Sequence, residues 1–402
     1  MTLSILTDTF CRPSTNLTVT HHYYTSNEQF EQSLDIYHPT YSSATNKKPI
    51  VVLVVGSAWL GHRSFVYNQT SWWNSSGPKA VARLGYTCVC IRHRGSFPGV
   101  YSALTLLFVV VMIGLLKCCM DVVLVWMYGL NTKSLLQDYW GVDGSTASFV
   151  ALSMGVALMK LGGLNAASFG DMQNDVMDAL AWFDENRGKL LNDNNATTSK
   201  SKNSKIVFGG YSSGGHVAAT VMQQPNLWKE RNLPGPDEYC STILYISPVL
   251  CTKPYHVDLE RHLTSISLKK VSTSLSEDRL SNRSSSTSKL DDTANSIQHT
   301  TKQPPSWLTD HLIHTVFGYQ IPSPIHTHAC SPNIPHLFIG CNKEMFGLDW
   351  LDLFFASRDY NELLVSRGVD SKFVGVDSDH WNILGSWDLL EVLERELRLI
   401  KD

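Results

Sequence analysis

Short apolar runs, separated by polar turns and helical patterns, recur along most of the chain. Pro49–Val55 and Thr87–Arg92 are rich in β-branched residues, which predicts strands buried on both faces. Gly77–Leu84 between them favours a short helix, giving a β-α-β crossover. Before these elements, Thr18–Tyr24 and Ser33–Tyr37 alternate apolar and polar positions around a polar turn, which predicts an antiparallel pair.

The second half of the chain repeats this alternation of strands and helices. Strands are expected at Ile206–Phe208, Thr242–Pro248, Pro335–Gly340 and Ser371–Val376, and helices at Phe169–Asn186, Asp352–Arg367 and Ser386–Ile400. Strands that alternate with helices in this way are typical of a mostly parallel sheet with helices on both faces. The fold class is therefore expected to be α/β.

Two apolar segments break the pattern. Tyr101–Leu130 carries only Lys117 and Asp121 as charged residues, and Ala147–Leu164 is a milder apolar stretch. A helix of about 20 predominantly apolar residues can span a membrane, so the first segment predicts a two-helix membrane hairpin or a segment in the membrane interface. The alternative is an apolar cap over the functional site.

These breaks define the expected organisation of the chain. Residues 1–100 and 169–402 are expected to form the two parts of one α/β domain, with 101–168 as the apolar insertion. A second insertion, at about 264–303, is dominated by Ser, Thr, Asn and charged residues. Such a composition cannot bury enough apolar surface to fold alone, so this insertion is expected to be disordered.

Composition constrains the expected compartment, metals and partners of the protein more than it constrains the activity. The apolar content of 43% supports a large core, and the net charge of -3 gives no sign of a nucleic-acid partner. The nine cysteines lack zinc-site spacing, which predicts reduced thiols, no metal and a catalytic domain facing the cytosol. The N-terminus lacks the basic and apolar regions of a signal peptide.

Candidate chemistry centres on Gly210–Gly214, a G-x-S-x-G pattern between an apolar strand and small helix-forming residues. Strand, sharp turn and helix are the setting of a nucleophile elbow, with Ser212 exposed at its tip. Gly210 and Gly214 lack a Cβ, which lets the strand and the helix approach closely. A flexible Gly/Ser loop is the alternative, and the flanking elements argue against it.

A serine hydroxyl becomes a good nucleophile when an imidazole takes its proton and a carboxylate orients that imidazole. His380 follows the last predicted strand, where such a base is expected. The acid is expected after the strand Pro335–Gly340, where Glu344 lies closest and Asp349 is the alternative.

The negative charge that develops in acyl transfer needs backbone N–H donors. Ser213, directly after the candidate nucleophile, is one expected donor. The loop after the strand Pro49–Val55 supplies the others, and the amides of Ser57 and Ala58 are the expected oxyanion donors there.

Five motifs, in this order, resemble the α/β-hydrolase esterase superfamily. LDIYHP (34–39) is similar to its LDVYxP, VVGSAWLGH (54–62) to HGGxWxxG, IRHRGSFPG (91–99) to YRxxPxG and GYSSGGH (210–216) to GxSAGGH; DHW (379–381) also matches. The resemblance covers most of 34–99 and 169–400 outside the insertions. It is most marked for the carboxylesterase branch that holds feruloyl-esterase-like enzymes, kynurenine formamidase and prenylcysteine methylesterases.

The sequence departs from the superfamily pattern at two positions. Ser57 replaces a glycine of the His-Gly-Gly motif, and it would be strained if that position requires a positive φ. The usual aspartate of the acid loop is expected to be Glu344 here.

The resemblance implies an α/β-hydrolase fold and a serine carboxylic-ester hydrolase without cofactor or metal. Prenylcysteine methylesterases resemble the chain best, because they also carry apolar segments and act on a membrane-resident lipidated ester. This implies a small-molecule or lipidated-peptide ester as substrate and membrane association, at the endoplasmic reticulum or Golgi. An amidase or formamidase on the same triad, and a catalytically impaired binding protein, are the alternatives. The sequence leaves the oligomeric state open.

Overall fold

A single mixed sheet forms the centre of the molecule. The computed structural model describes residues 17–39, 48–57, 59, 61, 72–95, 167–190, 205–252, 321–343, 353–380 and 382–399. The strands described there are β1 Thr18–Tyr23, β2 Ser33–His38, β3 Ile50–Val54, β4 Cys88–Ile91, β5 Ile206–Tyr211, β6 Cys240–Ile246, β7 His336–Lys343 and β8 Ser371–Asp379.

The strand order is β1-β2-β4-β3-β5-β6-β7-β8. β1 pairs with β2 and β2 with β4 in antiparallel fashion, whereas every pair from β4 to β8 is parallel. Because β3, β5, β6, β7 and β8 run in the same direction, their carboxyl ends meet at one edge of the sheet. That edge is where ligands bind in open α/β sheets.

Helices cover both faces of this sheet. In chain order they are α1 Trp72–Arg83, α2 Phe169–Leu190, α3 Ser213–Met222, α4 Pro225–Glu230, α5 Pro236–Tyr239, α6 Leu353–Ser366 and α7 Trp387–Leu397. Short 3-10 helices lie at Phe30–Gln32, His328–Cys330 and Ile383–Gly385.

The strand β3 shows why its sequence is apolar at every position. Ile50, Val52 and Val54 pack into one core with residues of α2, α3 and α6. Val51 and Leu53 point to the opposite face and pack with residues of α1 and α7. Alternate side chains therefore enter different cores, and the expectation of a mostly parallel α/β sheet with helices on both faces is confirmed.

The elements lie where the sequence predicts them, with differences of a few residues at their ends. The largest difference concerns α1, which begins at Trp72 instead of Gly77. β8 continues to Asp379 instead of ending at Val376, so His380 follows the strand directly. The predicted insertions at 101–168 and about 264–303 lie outside the described residues, apart from Ala167 and Ser168 at the end of the first, and both remain predictions. Among the helices that are described, none is long and apolar enough to cross a membrane.

Candidate active site

Ser212 lies at a sharp turn between β5 and α3. Its backbone has φ 54° and ψ -127°, a combination that non-glycine residues seldom adopt. The Ser212 amide donates to Ile246 O on the neighbouring strand at 3.1 Å, and its carbonyl accepts from the amide of Val249 at 3.2 Å. These two contacts with the β6 end hold the turn in its strained conformation, which is the geometry of a nucleophile elbow.

Two glycines allow this turn to pack against the end of β3. A Cβ on Gly214 would lie 2.3 Å from Val54 O, and a Cβ on Gly56 would lie 2.7 Å from the Ser212 Cβ. Real side chains do not approach so closely, so the backbone itself has to shift if either position carries one. The glycines thus bring the elbow and the loop after β3 into direct contact.

His380, directly after β8, reaches the elbow from the other side. Its Nε2 lies 2.9 Å from Ser212 Oγ, within hydrogen-bond distance. Ser212 and His380 are 7% and 1% exposed, respectively, so this contact is shielded from bulk water. Burial lowers the pKa of His380 to about 4, and the carboxylate of Asp379 acts in the opposite direction. The imidazole is therefore neutral at pH 7 and able to accept a proton from Ser212.

Two residues that the sequence does not single out also hold His380. Ser247, the residue after β6, has its Oγ 2.8 Å from His380 Nδ1. Tyr211 donates its hydroxyl proton to the His380 carbonyl oxygen at 2.5 Å, and its ring stacks on the imidazole with centroids 5.2 Å apart. The sequence does not distinguish Ser247, because this residue lies inside an apolar run. The one signal that points to it is its position at the carboxyl end of a strand next to the elbow.

The acidic residues near His380, in the sequence or by prediction, lie in different places. Glu344 and Asp349, the candidate acids, lie outside the described residues, so the acid remains a prediction. Both carboxylate oxygens of Asp379 accept from Asn382, from its amide at 2.9 Å and its side chain at 2.6 Å. Asp377 is exposed and pairs with Lys343 at 3.2 Å.

The loop after β3 is attached to the elbow through Ser213. The amide of Ser57 donates to Ser213 Oγ at 2.9 Å, and the amide of Trp59 donates to the same oxygen at 3.3 Å. All three residues are buried. Trp59, not Ser57, is the non-glycine residue with a positive φ among the described residues of this loop, at 59°. Ala58, the third predicted oxyanion donor, lies outside the described residues.

His216 anchors the same loop one helical turn further along α3. Its Nδ1 accepts the indole N–H of Trp59 at 3.0 Å, and its Nε2 donates to Pro322 O at 2.8 Å. Burial lowers the pKa of His216 to about 4, so the ring stays neutral and can keep both roles. The last residue of the GYSSGGH motif thus contacts the tryptophan of the VGSAW motif.

The described residues offer no obvious metal centre: nowhere among them do three or more His, Cys, Asp or Glu side chains cluster closely enough to hold an ion. What they do bring together is a strained serine, a neutral imidazole and a loop of backbone amides. This arrangement can transfer an acyl group from a substrate to Ser212.

No model of a known protein family matches the sequence, and no curated protein matches it. Solved structures do match over almost the whole chain. Esterase B from Lactobacillus rhamnosis, inhibited by a tributyrin phosphonate, is 12% identical with a TM-score of 0.50, covering 97% of this chain and 87% of that chain. An esterase from Pyrobaculum calidifontis is 13% identical with a TM-score of 0.48, covering 99% of this chain and 89% of that chain. Together with the strand order, the likeness to esterase B shows that the chain has the α/β-hydrolase fold.

Proposed function

We propose that this protein is a serine carboxylic-ester hydrolase that works through an acyl-enzyme. The observation that carries the proposal is the 2.9 Å contact between Ser212 Oγ and His380 Nε2 at a strained strand-to-helix turn. Strain at such a turn is stabilised elsewhere in the fold and is concentrated at functional sites. A flexible surface loop would not need a serine in this conformation, nor a buried histidine beside it.

In the first half of the reaction, Ser212 Oγ attacks the carbonyl carbon of the ester while its proton moves to His380 Nε2. The carbonyl oxygen becomes an oxyanion, and the protonated imidazole then gives its proton to the departing alcohol. In the second half a water molecule is activated by the same Nε2 and attacks the acyl-enzyme, which releases the acid and restores Ser212. Glu344 is the proposed orienting acid, with Asp349 as the alternative.

The oxyanion is proposed to bind the backbone amides of Ser213, Ser57 and Ala58. The Ser213 amide belongs to the first turn of α3, where N–H groups lack a partner within the helix and the helix dipole favours negative charge. In the resting protein the Ser57 amide donates to Ser213 Oγ at 2.9 Å. An oxyanion accepts more strongly than a neutral hydroxyl, so the charged intermediate can draw this amide away from Ser213.

The finer proposal concerns the substrate. The resemblance to prenylcysteine methylesterases and the apolar segment Tyr101–Leu130 support a methyl ester on a lipidated cysteine, met at a membrane of the endoplasmic reticulum or Golgi. A catalytic domain on the cytosolic side would be consistent with the free cysteines among the described residues.

The test of the activity compares the wild-type protein with Ser212→Ala on short p-nitrophenyl esters. Wild-type turnover and a loss of at least about 10³-fold in the variant are expected. Ser366→Ala is the matched control, because Ser366 is an exposed serine at the end of α6. Equal hydrolysis by wild type and Ser212→Ala would disprove the mechanism.

A second experiment tests the substrate class. The full chain is assayed with three compounds: S-farnesylcysteine methyl ester, the methyl ester of unmodified cysteine and an N-formyl amide. Preference for the farnesylated ester supports the finer proposal, and preference for the N-formyl compound supports an amidase instead. Release of all the protein from membranes by a carbonate wash would contradict membrane insertion.

A further inference from the structure

Ser247 has an unusual backbone for a residue in its position. It follows β6 directly, is 1% exposed and has a φ of 41°, in the left-handed region that favours glycine. Its amide donates to Ile339 O on β7 at 2.7 Å, which holds the backbone in place. A glycine would relieve the strain at this point, so the serine side chain must contribute something that glycine cannot.

What the side chain contributes is a hydroxyl at the outer nitrogen of His380. For Ser212 to donate its proton, His380 Nε2 has to be unprotonated, and the neutral ring then carries its hydrogen on Nδ1. That Nδ1–H faces Ser247 Oγ at 2.8 Å and donates to it. In the tautomer in which Nε2 can act as a base, this contact gives the Nδ1–H an acceptor.

The hydroxyl hydrogen of Ser247 also has an acceptor within reach. Ser247 Oγ lies 3.1 Å from the sulfur of Cys341, a buried residue near the end of β7. With His380 Nδ1–H as the donor to Ser247, the serine hydroxyl donates on to this sulfur. One direction of donation thus runs from Ser212 through His380 and Ser247 to Cys341, and each link is within hydrogen-bond distance.

We propose that Ser247 is a positioning residue that, together with the proposed orienting acid, fixes the tautomer and the ring orientation of His380. The inference rests on the proposed ester hydrolysis. It adds Ser247, which follows β6, as a partner of His380, which follows β8. Ser247 does not touch the reacting atoms. A neutral hydroxyl stabilises the imidazolium less than a carboxylate does, so its removal is expected to lower kcat about tenfold, the factor for one neutral hydrogen bond.

Three substitutions separate the hydroxyl from the backbone strain. Ser247→Gly removes the hydroxyl and relieves the positive φ, so kcat is expected to fall about tenfold while the Tm holds or rises. Ser247→Thr keeps the hydroxyl but adds a β-branch that fits poorly at positive φ, so kcat is expected to stay within about threefold while the Tm falls. Ser247→Ala loses the hydroxyl and keeps the strain, so kcat falls as in the glycine variant.

Each variant is assayed on p-nitrophenyl acetate with kcat and KM determined separately, and the Tm is measured by thermal unfolding. Ser241→Ala is the matched control, because Ser241 lies on the same strand and its hydroxyl donates to Ile206 O at 3.1 Å, away from His380. A fall in kcat with unchanged KM in the glycine and alanine variants supports the proposal. Wild-type kcat in Ser247→Gly, or an equal loss of kcat in the threonine and alanine variants, would overturn it.

A measurement without turnover separates this inference from the proposed function. In protein labelled with ¹⁵N-histidine, the His380 Nδ1–H is expected to give a downfield proton signal in the wild type and in Ser247→Thr. The signal is expected to move upfield or disappear in Ser247→Gly and Ser247→Ala. An unchanged signal in all four proteins contradicts the role of Ser247, whether or not the wild type hydrolyses esters. An inactive wild type with the expected signals would disprove the proposed function alone.

Discussion

Ser212 is approached from two sides, and the two sides are held by different kinds of contact. On the base side, the hydroxyl of Ser247 and the stacked ring of Tyr211 hold the imidazole of His380. On the oxyanion side, the side chains of Ser213 and His216 hold the loop after β3, through its backbone amides and the indole of Trp59. One side positions a single ring that changes protonation, whereas the other fixes the path of the backbone.

This difference separates catalysis from stability. Loss of the hydrogen bond between Ser247 and the imidazole changes the ring's orientation but leaves the chain's path intact. On the oxyanion side, Ser57 and Trp59 are buried, so a lost acceptor leaves amides without partners at a cost of about 1–3 kcal/mol each. Substitutions on the base side are therefore expected to affect turnover, and substitutions on the oxyanion side to affect turnover and the free energy of unfolding together.

The largest effect is expected from removing the base. His380→Gln should lower kcat/KM at least about 10³-fold, because His380 is the residue placed to take the Ser212 proton. His336→Gln is the control: His336 is a buried histidine whose pKa burial also lowers to about 4, but it lies at the amino end of β7. Equal losses of activity in both variants would show that burial of histidine, not its position, is being measured.

The second-largest loss of activity is expected from a substitution at Gly56, which tests the packing between the elbow and the loop after β3. Gly56→Ala places a Cβ 2.6 Å from Tyr211 O and 2.7 Å from the Ser212 Cβ. The backbone must shift, and losses of about 1–3 kcal/mol in the free energy of unfolding and about 10²-fold in kcat/KM are expected.

Gly170→Ala is its control, since the nearest atom to a Cβ there is 3.7 Å away and the residue lies in α2. This variant should keep full activity and be as stable as the wild type or more so. A Gly56→Ala protein with unchanged stability and kcat would contradict the close contact between loop and elbow.

A smaller effect is expected where the loop meets His216. Trp59→Phe removes the indole N–H that donates to His216 Nδ1 and should lower kcat about tenfold, together with the Tm. Trp228→Phe loses a similar buried bond, to Val221 O at 2.9 Å, outside the site. The control should lose stability and keep its kcat; a loss of kcat in Trp228→Phe but not in Trp59→Phe would reverse the comparison.

The smallest change in kcat/KM is expected when the pH is lowered from 7 to 5. This change tests how far burial lowers the pKa of His380. With the pKa of His380 at about 4, against the usual 6.5, about 90% of the ring is neutral at pH 5 instead of about 3%. The value of kcat/KM should therefore be almost unchanged between pH 7 and pH 5 and fall through about pH 4. A fall centred near pH 6.5 would show that the Asp379 carboxylate, or another charge, fully offsets the effect of burial on the pKa of His380.

Stability should respond to pH over a wider range than activity does. Burial lowers the pKa of His216, His336 and His380 to about 4, so the folded chain binds fewer protons than the unfolded chain between pH 6.5 and pH 4. The free energy of unfolding should then decrease as the pH is lowered through this window and be fully retained above it. Denaturant unfolding at several pH values measures the slope, which His336→Gln should reduce.

The elbow could be predicted from sequence because its requirements are local. A strained serine between a strand and a helix needs glycines at fixed positions, and Gly210–Gly214 supplies them. His380 could be placed because it follows the last strand of a parallel sheet. Both depend on rules that link neighbouring residues to backbone geometry.

Ser247 could not be predicted in the same way. Its role depends on β6 lying beside β5 and on His380, 133 residues later, returning to it. No pattern within the apolar run contains that information. The backbone strain in the loop after β3 is likewise a tertiary property. Ser57 is the residue that departs from the α/β-hydrolase motif, but the non-glycine residue with a positive φ is Trp59, whose indole N–H donates to His216.

The contact between Ser212 and His380 also has a consequence for how the molecule folds. It joins residues 168 positions apart and forms only when β8 has paired with β7. Pairings of such sequence separation are slow, since the entropy of closing the loop is lost before the contact is gained. A chain shortened before β8 would contain Ser212 but not His380. Reactivity toward a fluorophosphonate would then report that folding has reached the carboxyl-terminal strand.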